Sequence, residues 1–233
     1  MNSRFSRTEL VLGAEGMDKL SRSSVAIFGI GGVGSFTAEA LARSGIGKII
    51  LIDYDIIDIS NINRQIHATT STIGMFKVDA MKERLLEINP DIEVVIKKEI
   101  YGLETKGMLL NSEYDYIVDA IDMISSKLDL IVSTKALGIP MISSMGAGNK
   151  LNPTQIKVGD IYSTSVDPMS RVMRNELKKR KVDRLKVVWS DEIPMKINIE
   201  MKDLRKAIPG SISFVPSVFG IIISSEVIKD LIL

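Results

Sequence analysis

The chain has no cysteine among its 233 residues. That absence excludes disulfides, cysteine-ligated zinc, and any thiolate nucleophile or thioester carried on this chain. Histidine is nearly missing as well. His67 is the only one, and it reads as a loop or packing residue rather than a base. Aromatics make up 5% of the chain, so the core must be aliphatic, with most of the 12 methionines as filler. No hydrophobic run is long. The most apolar region, residues 214–223, contains Pro216 and Gly220 and is followed by Ser224-Ser225-Glu226. A membrane span needs ~20 apolar residues, so this region reads as a buried helix and no membrane partner is expected. Residues 1–15 are polar and carry Arg4 and Arg7, unlike a signal peptide, which points to a cytoplasmic location. An excess of one charge is missing too. Lys+Arg 30 against Asp+Glu 29 leaves +1, so the chain as a whole is no generic polyanion binder.

Apolar residues at 45% and charged residues at 25% are ordinary for a globular protein, and the length suits one sizeable α/β domain. Residues 1–24 read as an N-terminal helical arm. Strands are expected at 25–28, 48–52, 92–98, 116–120 and from 140, with helices at 33–44, 77–89 and 125–137. Gly45 and Gly138 sit just past two of these helices, where left-handed caps fall. The strands are continuous apolar runs, as parallel strands covered on two faces tend to be. The alternation predicts a Rossmann-like α/β fold: a twisted, mostly parallel sheet with helices on both faces and right-handed crossovers. After residue 144 the rhythm changes. Short strands at 155–158 and 186–189, a polar helix at 167–181 opening on Asp167-Pro168, an irregular 191–209 and a last helix at 217–231 extend the sheet with antiparallel strands.

The most informative motif is Gly29-Ile30-Gly31-Gly32-Val33-Gly34, between the first strand and the first helix. Glycines let the backbone approach an anion closely, and the helix N-terminus presents bare N–H groups to it. Asp53 closes the second strand 19 residues after Gly34, a spacing that suits an acid holding ribose hydroxyls. The long polar connection 53–76 has no clear periodicity, which is often a mark of function. It carries Asp53-Tyr54-Asp55 and Ser60-Asn61-Ile62-Asn63-Arg64-Gln65. Lys77 opens the next helix, and Asp119-Ala120-Ile121-Asp122 ends a later strand. Ligands of open α/β sheets bind outside the carboxyl ends of the strands, and these groups map to that edge.

Taken in order, glycine loop, acid-x-acid, Ser-Asn-x-Asn-Arg-Gln, Lys and Asp-x-x-Asp resemble the ThiF/MoeB/HesA-like adenylating family. That family is related to the ubiquitin-activating enzymes and includes the activators of ThiS and MoaD sulfur carriers. Gly146-Ala147-Gly148-Asn149-Lys150-Leu151-Asn152-Pro153-Thr154-Gln155-Ile156, Asp160-Ile161, Asp167-Pro168 and Phe214-Val215-Pro216 with Gly220 look like its tRNA threonylcarbamoyladenosine dehydratase branch. The resemblance then covers nearly the whole chain as one adenylating domain: arm 1–24, nucleotide-binding core 25–143, and substrate-side extension 144–233. Two departures stand out. Met123 takes the place where family members often have Asn, and the paired Cys-x-x-Cys zinc ligands of many relatives are absent.

The resemblance implies ATP-driven activation of a carboxylate with Mg²⁺. It implies that Gly29, Gly31, Gly32 and Gly34 cradle phosphate, Asp53 binds the ribose, Asp55 belongs to the same cofactor-binding set, and Asn61 and Gln65 position nucleotide or loop. Arg64 and Lys77 would contact phosphates, and Asp122 would hold the metal. Arg7, in the N-terminal Arg4-Phe5-Ser6-Arg7 motif, would reach into the ATP site of a partner copy, which implies a homodimer. The branch implies dehydration of the threonylcarbamoyl side chain of a tRNA adenosine. A thiol is then unnecessary, because the activated carboxylate and the attacking carbamoyl group share one molecule, where effective molarities reach roughly 10⁵ M or more. Residues 171–186 carry Arg171, Arg174, Lys178, Lys179, Arg180, Lys181, Arg184 and Lys186 against Glu176 and Asp183, a local charge suited to an RNA backbone. Trp189 and Tyr162 are the aromatics expected to stack on bases.

Plainer readings stand beside these. Asp53 can cap a loop, Arg64 can be a solvated loop charge, Lys77 and Arg7 can be surface residues, and Asp122 can cap the helix that follows. Asp119 reads as structural. Activation of a ubiquitin-like sulfur carrier is the alternative function and shares the ATP site. A NAD-dependent dehydrogenase would explain the glycines and Asp53 but leaves Arg64, Lys77 and Asp122 idle. A sulfur or redox partner protein stays open.

Overall fold

A computed structural model describes residues 4–196 and 209–233. The chain opens with α1 (Ser6–Arg22) and then alternates: β1 (Ser24–Phe28), α2 (Gly34–Ser44), β2 (Lys48–Ile52), α3 (Lys77–Ile88) and β3 (Glu93–Lys97). A short α4 (Lys106–Leu109) precedes β4 (Tyr116–Asp119), α5 (Ile124–Leu137) and β5 (Met141–Ser144). The later part holds β6 (Ile156–Asp160), α6 (Pro168–Lys179), β7 (Lys186–Ser190) and α7 (Phe214–Ile232). Among the described residues the strands form one seven-stranded sheet in the order β3-β2-β1-β4-β5-β7-β6. Every pairing is parallel except β6 against β7. The antiparallel extension expected from the sequence is therefore the outer strand β6, while β7 itself runs parallel to β5.

Alternation along the strands feeds two apolar layers. Val25 and Ile27 of β1 face Leu20, Leu41, Leu85, Phe219 and Val227, from α1, α2, α3 and α7. Ala26 and Phe28 face the other way, onto Leu130 and Ile131 of α5 and Met173 and Leu177 of α6. Both faces of β1 are thus dry, which is why its sequence reads as an unbroken apolar run.

Close helix packing fixes α2, the helix that follows the glycine turn. A Cβ on Gly220 of α7 would lie 2.5 Å from the Val33 carbonyl and 2.9 Å from Phe36 Cβ, so α7 and α2 meet backbone to backbone. Thr37 Oγ1 adds a hydrogen bond to the Gly220 carbonyl at 3.1 Å. Pro216 falls in the first turn of α7, where its missing N–H costs no helical bond. The helical arm is present but breaks at Gly13, whose φ of 73° and ψ of 170° interrupt α1. The arm docks through Arg4 Nη1, which donates to the Ile88 carbonyl at 2.7 Å. Helix α4 has no counterpart among the expected elements; four residues are too few to show a 3.6-residue period. Most of the expected irregular segment 191–209 lies at 197–208, outside the described residues.

Candidate nucleotide and acyl-transfer site

A cleft of about 540 Å³ opens at the carboxyl ends of β1, β2, β4 and β5. Gly29, Gly31, Gly32, Asp53, Asp55, Asn61, Arg64, Gln65, Lys77 and Asp122 all line it. Gly34 and Arg7 do not. Gly34 is buried at the start of α2, where a Cβ would stand 1.9 Å from the Gly29 carbonyl, so its part is to let loop and helix touch. Gly29 has φ +91° and would place a Cβ 2.7 Å from the Ala120 carbonyl. Gly31, by contrast, has open space where its side chain would be, which leaves room for a ligand against the backbone. No side chain caps the N-terminus of α2.

Asp53 organises the turn. Its Oδ2 accepts the Ile30 N–H at 2.6 Å and its Oδ1 accepts the Asp55 N–H at 2.9 Å. Burial pushes its carboxyl up, with the Lys77 charge and the two N–H donors opposing. It therefore does cap the loop, and each oxygen keeps acceptor capacity towards the cleft. Lys77 is buried, and its Nζ donates to Asp55 Oδ2 at 2.5 Å. A free surface lysine is thereby ruled out. Tyr54 sits among the acids: its hydroxyl is pushed up first by Asp55, then by burial, Asp122 and Asp53.

Residues 58–65 form a local frame. Asp58 caps a 3₁₀ turn (Ile59–Asn61) by accepting from Ser60 N at 2.8 Å, and Asn61 Oδ1 accepts from Asp58 N at 3.1 Å. Asn61 thus commits its carbonyl to the loop. Arg64 Nη1 donates to the Ser60 carbonyl at 2.8 Å and to Asn63 Oδ1 at 2.9 Å, with no acid partner among the described residues. Gln65 is 5% exposed, and its Oε1 has no partner there.

Asp122 is exposed at the cleft rim and makes no hydrogen bond or ion pair among the described residues. It does not cap α5: Met123 holds the cap position, and no side chain bonds there. Met123 is itself 46% exposed in the same wall. Asp119 is structural, as its sequence context suggests. Its Oδ1 accepts from Ile121 N at 3.1 Å, and its Oδ2 accepts from Lys127 Nζ at 2.7 Å and Ser143 Oγ at 2.6 Å.

Sequence reasoning missed that lysine. Lys127 is 0% exposed and also donates to the Ser144 carbonyl at 2.9 Å, so one ammonium ties the end of β4 to the end of β5. The signal was there: Lys127 lies on the apolar face of α5 with Leu130, Ile131 and Thr134. A second buried pair joins two motifs that the sequence shows separately. Lys150 Nζ meets Asp167 Oδ1 at 2.9 Å and the Gly146 carbonyl at 2.5 Å, and Asp167 Oδ2 caps α6 through Ser170 N at 2.8 Å. This pair shapes the wall made by Gly146, Ala147 and Gly148. One expectation fails outright. Trp189 is 5% exposed, packs against Gly159 and donates Nε1–H to Asp191 at 2.8 Å, so it cannot stack on a base.

Fold and cleft together define a nucleotide-binding α/β protein whose glycine turn faces a cation, a shielded lysine and a rim carboxylate. The chain belongs to the ThiF family, whose model matches residues 5–232. It is similar to the tRNA threonylcarbamoyladenosine dehydratase of Bacillus subtilis (strain 168), at 45% identity over 243 residues, covering 100% of this chain and 96% of that protein. The Escherichia coli (strain K12) protein of the same name is 38% identical over 175 residues, 75% of this chain and 65% of that protein. The crystal structure of E. coli tRNA N6-threonylcarbamoyladenosine dehydratase in complex with AMP matches with a TM-score of 0.90 and 32% identity, covering 98% of this chain and 93% of that one. The structure with ATP matches with a TM-score of 0.87.

Proposed function

We propose that the chain is an ATP-dependent enzyme that dehydrates N6-threonylcarbamoyladenosine in tRNA through an acyl-adenylate. One observation carries the reading: the glycine turn, Asp53, Arg64, Lys77 and Asp122, scattered over nearly a hundred residues of sequence, converge on one cleft. The relatives similar over the chain's length carry that activity in their names.

The threonyl carboxylate attacks the α-phosphorus of ATP and pyrophosphate leaves. The carbamoyl group of the same side chain then attacks the acyl carbon. AMP departs with the former carboxylate oxygen, and the net change is loss of water. The α2 N-terminus and Gly31 receive phosphate oxygens, and Asp53 receives ribose hydroxyls. Arg64, held from one side by Ser60 and Asn63, offers its remaining N–H groups to charge developing on phosphorus. Lys77, aimed by Asp55, does the same from the β2 side. Donors fixed before the reaction need no reorganisation during it, and one such group is worth about 3 kcal/mol.

Mg²⁺ fits this donor set. Among the described residues there is no cluster of three or more metal-ligating side chains, and Asp122 offers the cleft an unpaired carboxylate at its rim. Magnesium is commonly held by one or two carboxylates plus substrate phosphates and water. Bound there, it would screen the triphosphate and favour pyrophosphate departure. Arg7 is exposed on α1 and does not line its own chain's cleft, so we assign it to a partner copy's site in a homodimer. No helix among the described residues is long and apolar enough to cross a membrane. A tRNA substrate supports a cytoplasmic location.

The test is incubation with ATP, Mg²⁺ and tRNA carrying N6-threonylcarbamoyladenosine. Nucleoside mass spectrometry should show loss of one water, with AMP and pyrophosphate formed in step. An unchanged nucleoside, with ATP–pyrophosphate exchange appearing only when a ubiquitin-like carrier is added, would overturn the reading.

A further inference from the structure

Of the basic side chains in residues 171–186, the structure neutralises or buries several. Arg174 Nη1 turns inward to the Thr164 carbonyl at 2.8 Å. Lys179 and Arg180 each meet Glu176 at 2.6 Å. Lys186 meets Asp230 at 2.7 Å and Glu226 at 3.2 Å. Arg171, Lys178, Lys181 and Arg184 remain exposed, with no hydrogen bond or ion pair from their side chains among the described residues.

These groups are ordered relative to the cleft. Helix α6 starts at the rim: Met169 lines the cleft, and Asp167, the cap, contacts the Gly146 wall. Arg171 and Lys178 are seven residues apart, two turns along one face, while Met173 and Leu177 point into the core. At 1.5 Å per residue, Met169 to Lys178 spans roughly 14 Å. Lys181, at φ +57°, turns the chain, and Arg184 follows before β7. Tyr162 stands beside this turn, 38% exposed, its hydroxyl donating to the Val182 carbonyl at 2.5 Å. The nearby acids are mostly engaged. Glu176 is paired, and Asp160 accepts from Tyr162 N at 2.8 Å and Leu185 N at 2.9 Å. Asp183 is the exposed acid in the stretch.

We propose that Arg171, Lys178, Lys181 and Arg184, flanked by the Tyr162 ring, form the track on which the tRNA backbone docks and is led to the cleft. The proposal rests on the reading that tRNA is the substrate and adds where it lies. Cations on long stems with one exposed ring suit phosphates and an unstacked base. An acidic protein partner would instead want a buried apolar anchor at the centre of the patch.

The test uses the full-length protein with the four residues changed to Ala together. Fluorescence anisotropy with tRNA across a salt series should show weaker binding. Each phosphate that a cation neutralises contributes ~0.7–0.9 to the slope of log affinity against log salt, so removing four cations should lower that slope by about 3. In turnover assays the KM for tRNA should rise at least tenfold, with kcat at saturating tRNA and the affinity for ATP unchanged. A control with Lys19, Arg22 and Lys229 changed to Ala, on α1 and α7, should keep the parent slope. A quadruple variant with the parent slope and KM overturns the track. So does a variant that keeps tRNA but loses an acidic protein. If the parent protein binds tRNA without dehydrating it, the proposed reaction falls, and the salt slope still judges the track.

Discussion

At the scale of single residues, the buried charges carry the clearest energetics. Lys127 and Asp119 are both fully buried and satisfy each other together with Ser143 and Ser144. Removing one partner of such a pair leaves an uncompensated charge and costs about 3–5 kcal/mol. Lys127→Met should therefore lower stability by that amount in urea unfolding, and adding Asp119→Leu should recover much of it. His67 makes a pH prediction. It is 2% exposed with both ring nitrogens unpartnered among the described residues, and burial, helped by the Lys77 and Arg84 charges, lowers it from 6.5 to about 4. The folded chain thus takes a proton later than the unfolded chain as pH falls. Stability should drain between pH 6.5 and 4, by about 3 kcal/mol at the lower end. Unfolding at pH 7 and pH 4 should show that loss reduced in His67→Leu; an equal loss in both proteins would refute it. The sequence reads His67 as a loop or packing residue, and its burial fits packing. It shows Lys127 on the inward face of α5 but not its partners, which come from β4 and β5 and meet it only once the strands are in register.

At the scale of elements, α2 is positioned from behind by α7. Gly220→Ala would force a methyl against the Val33 carbonyl and Thr37 N, so the helices must part. Overpacking of this kind costs about 1–3 kcal/mol. On the proposed reading that the α2 N-terminus receives phosphate, the variant should also raise the KM for ATP more than it lowers kcat. Calorimetric melting and steady-state kinetics check both halves. Apart from the four-residue α4, strands and helices of the first 143 residues were legible because parallel strands dry on both faces and glycine-stopped helices leave strong local patterns. The later part was less so: β6 and β7 differ in direction, and direction is decided by pairing across the sheet rather than by composition. Trp189 misleads for a related reason. A lone aromatic near a basic stretch looks available until the strand carrying it is placed within the sheet, beside Gly159.

At the scale of the whole molecule, the rim residues and the arm make separable predictions. Asp122→Ala should abolish ATP turnover while leaving the melting temperature near that of the parent, because the side chain makes no hydrogen bond or ion pair among the described residues. Near-normal turnover would remove it from the metal site. Arg7→Ala should also be inactive. If the arm serves a second copy, mixing it with Asp122→Ala under exchange conditions should restore activity, because one of the two sites in a mixed pair is intact. No recovery would place Arg7 outside that role. Much of the cleft was readable from motif order: the glycine turn, Asp53 and Asp122 follow strands whose ends share an edge, while Arg64 and Lys77 come from the 53–76 connection and the helix after it.

The anchor that Lys127 finds on the second wall is a main-chain oxygen, that of Ser144, and a main-chain oxygen is supplied by whichever amino acid stands there. Descendants of this chain can therefore vary the side chain at that position, and with it the groups greeting an incoming acid, without unfastening the wall from the nucleotide half.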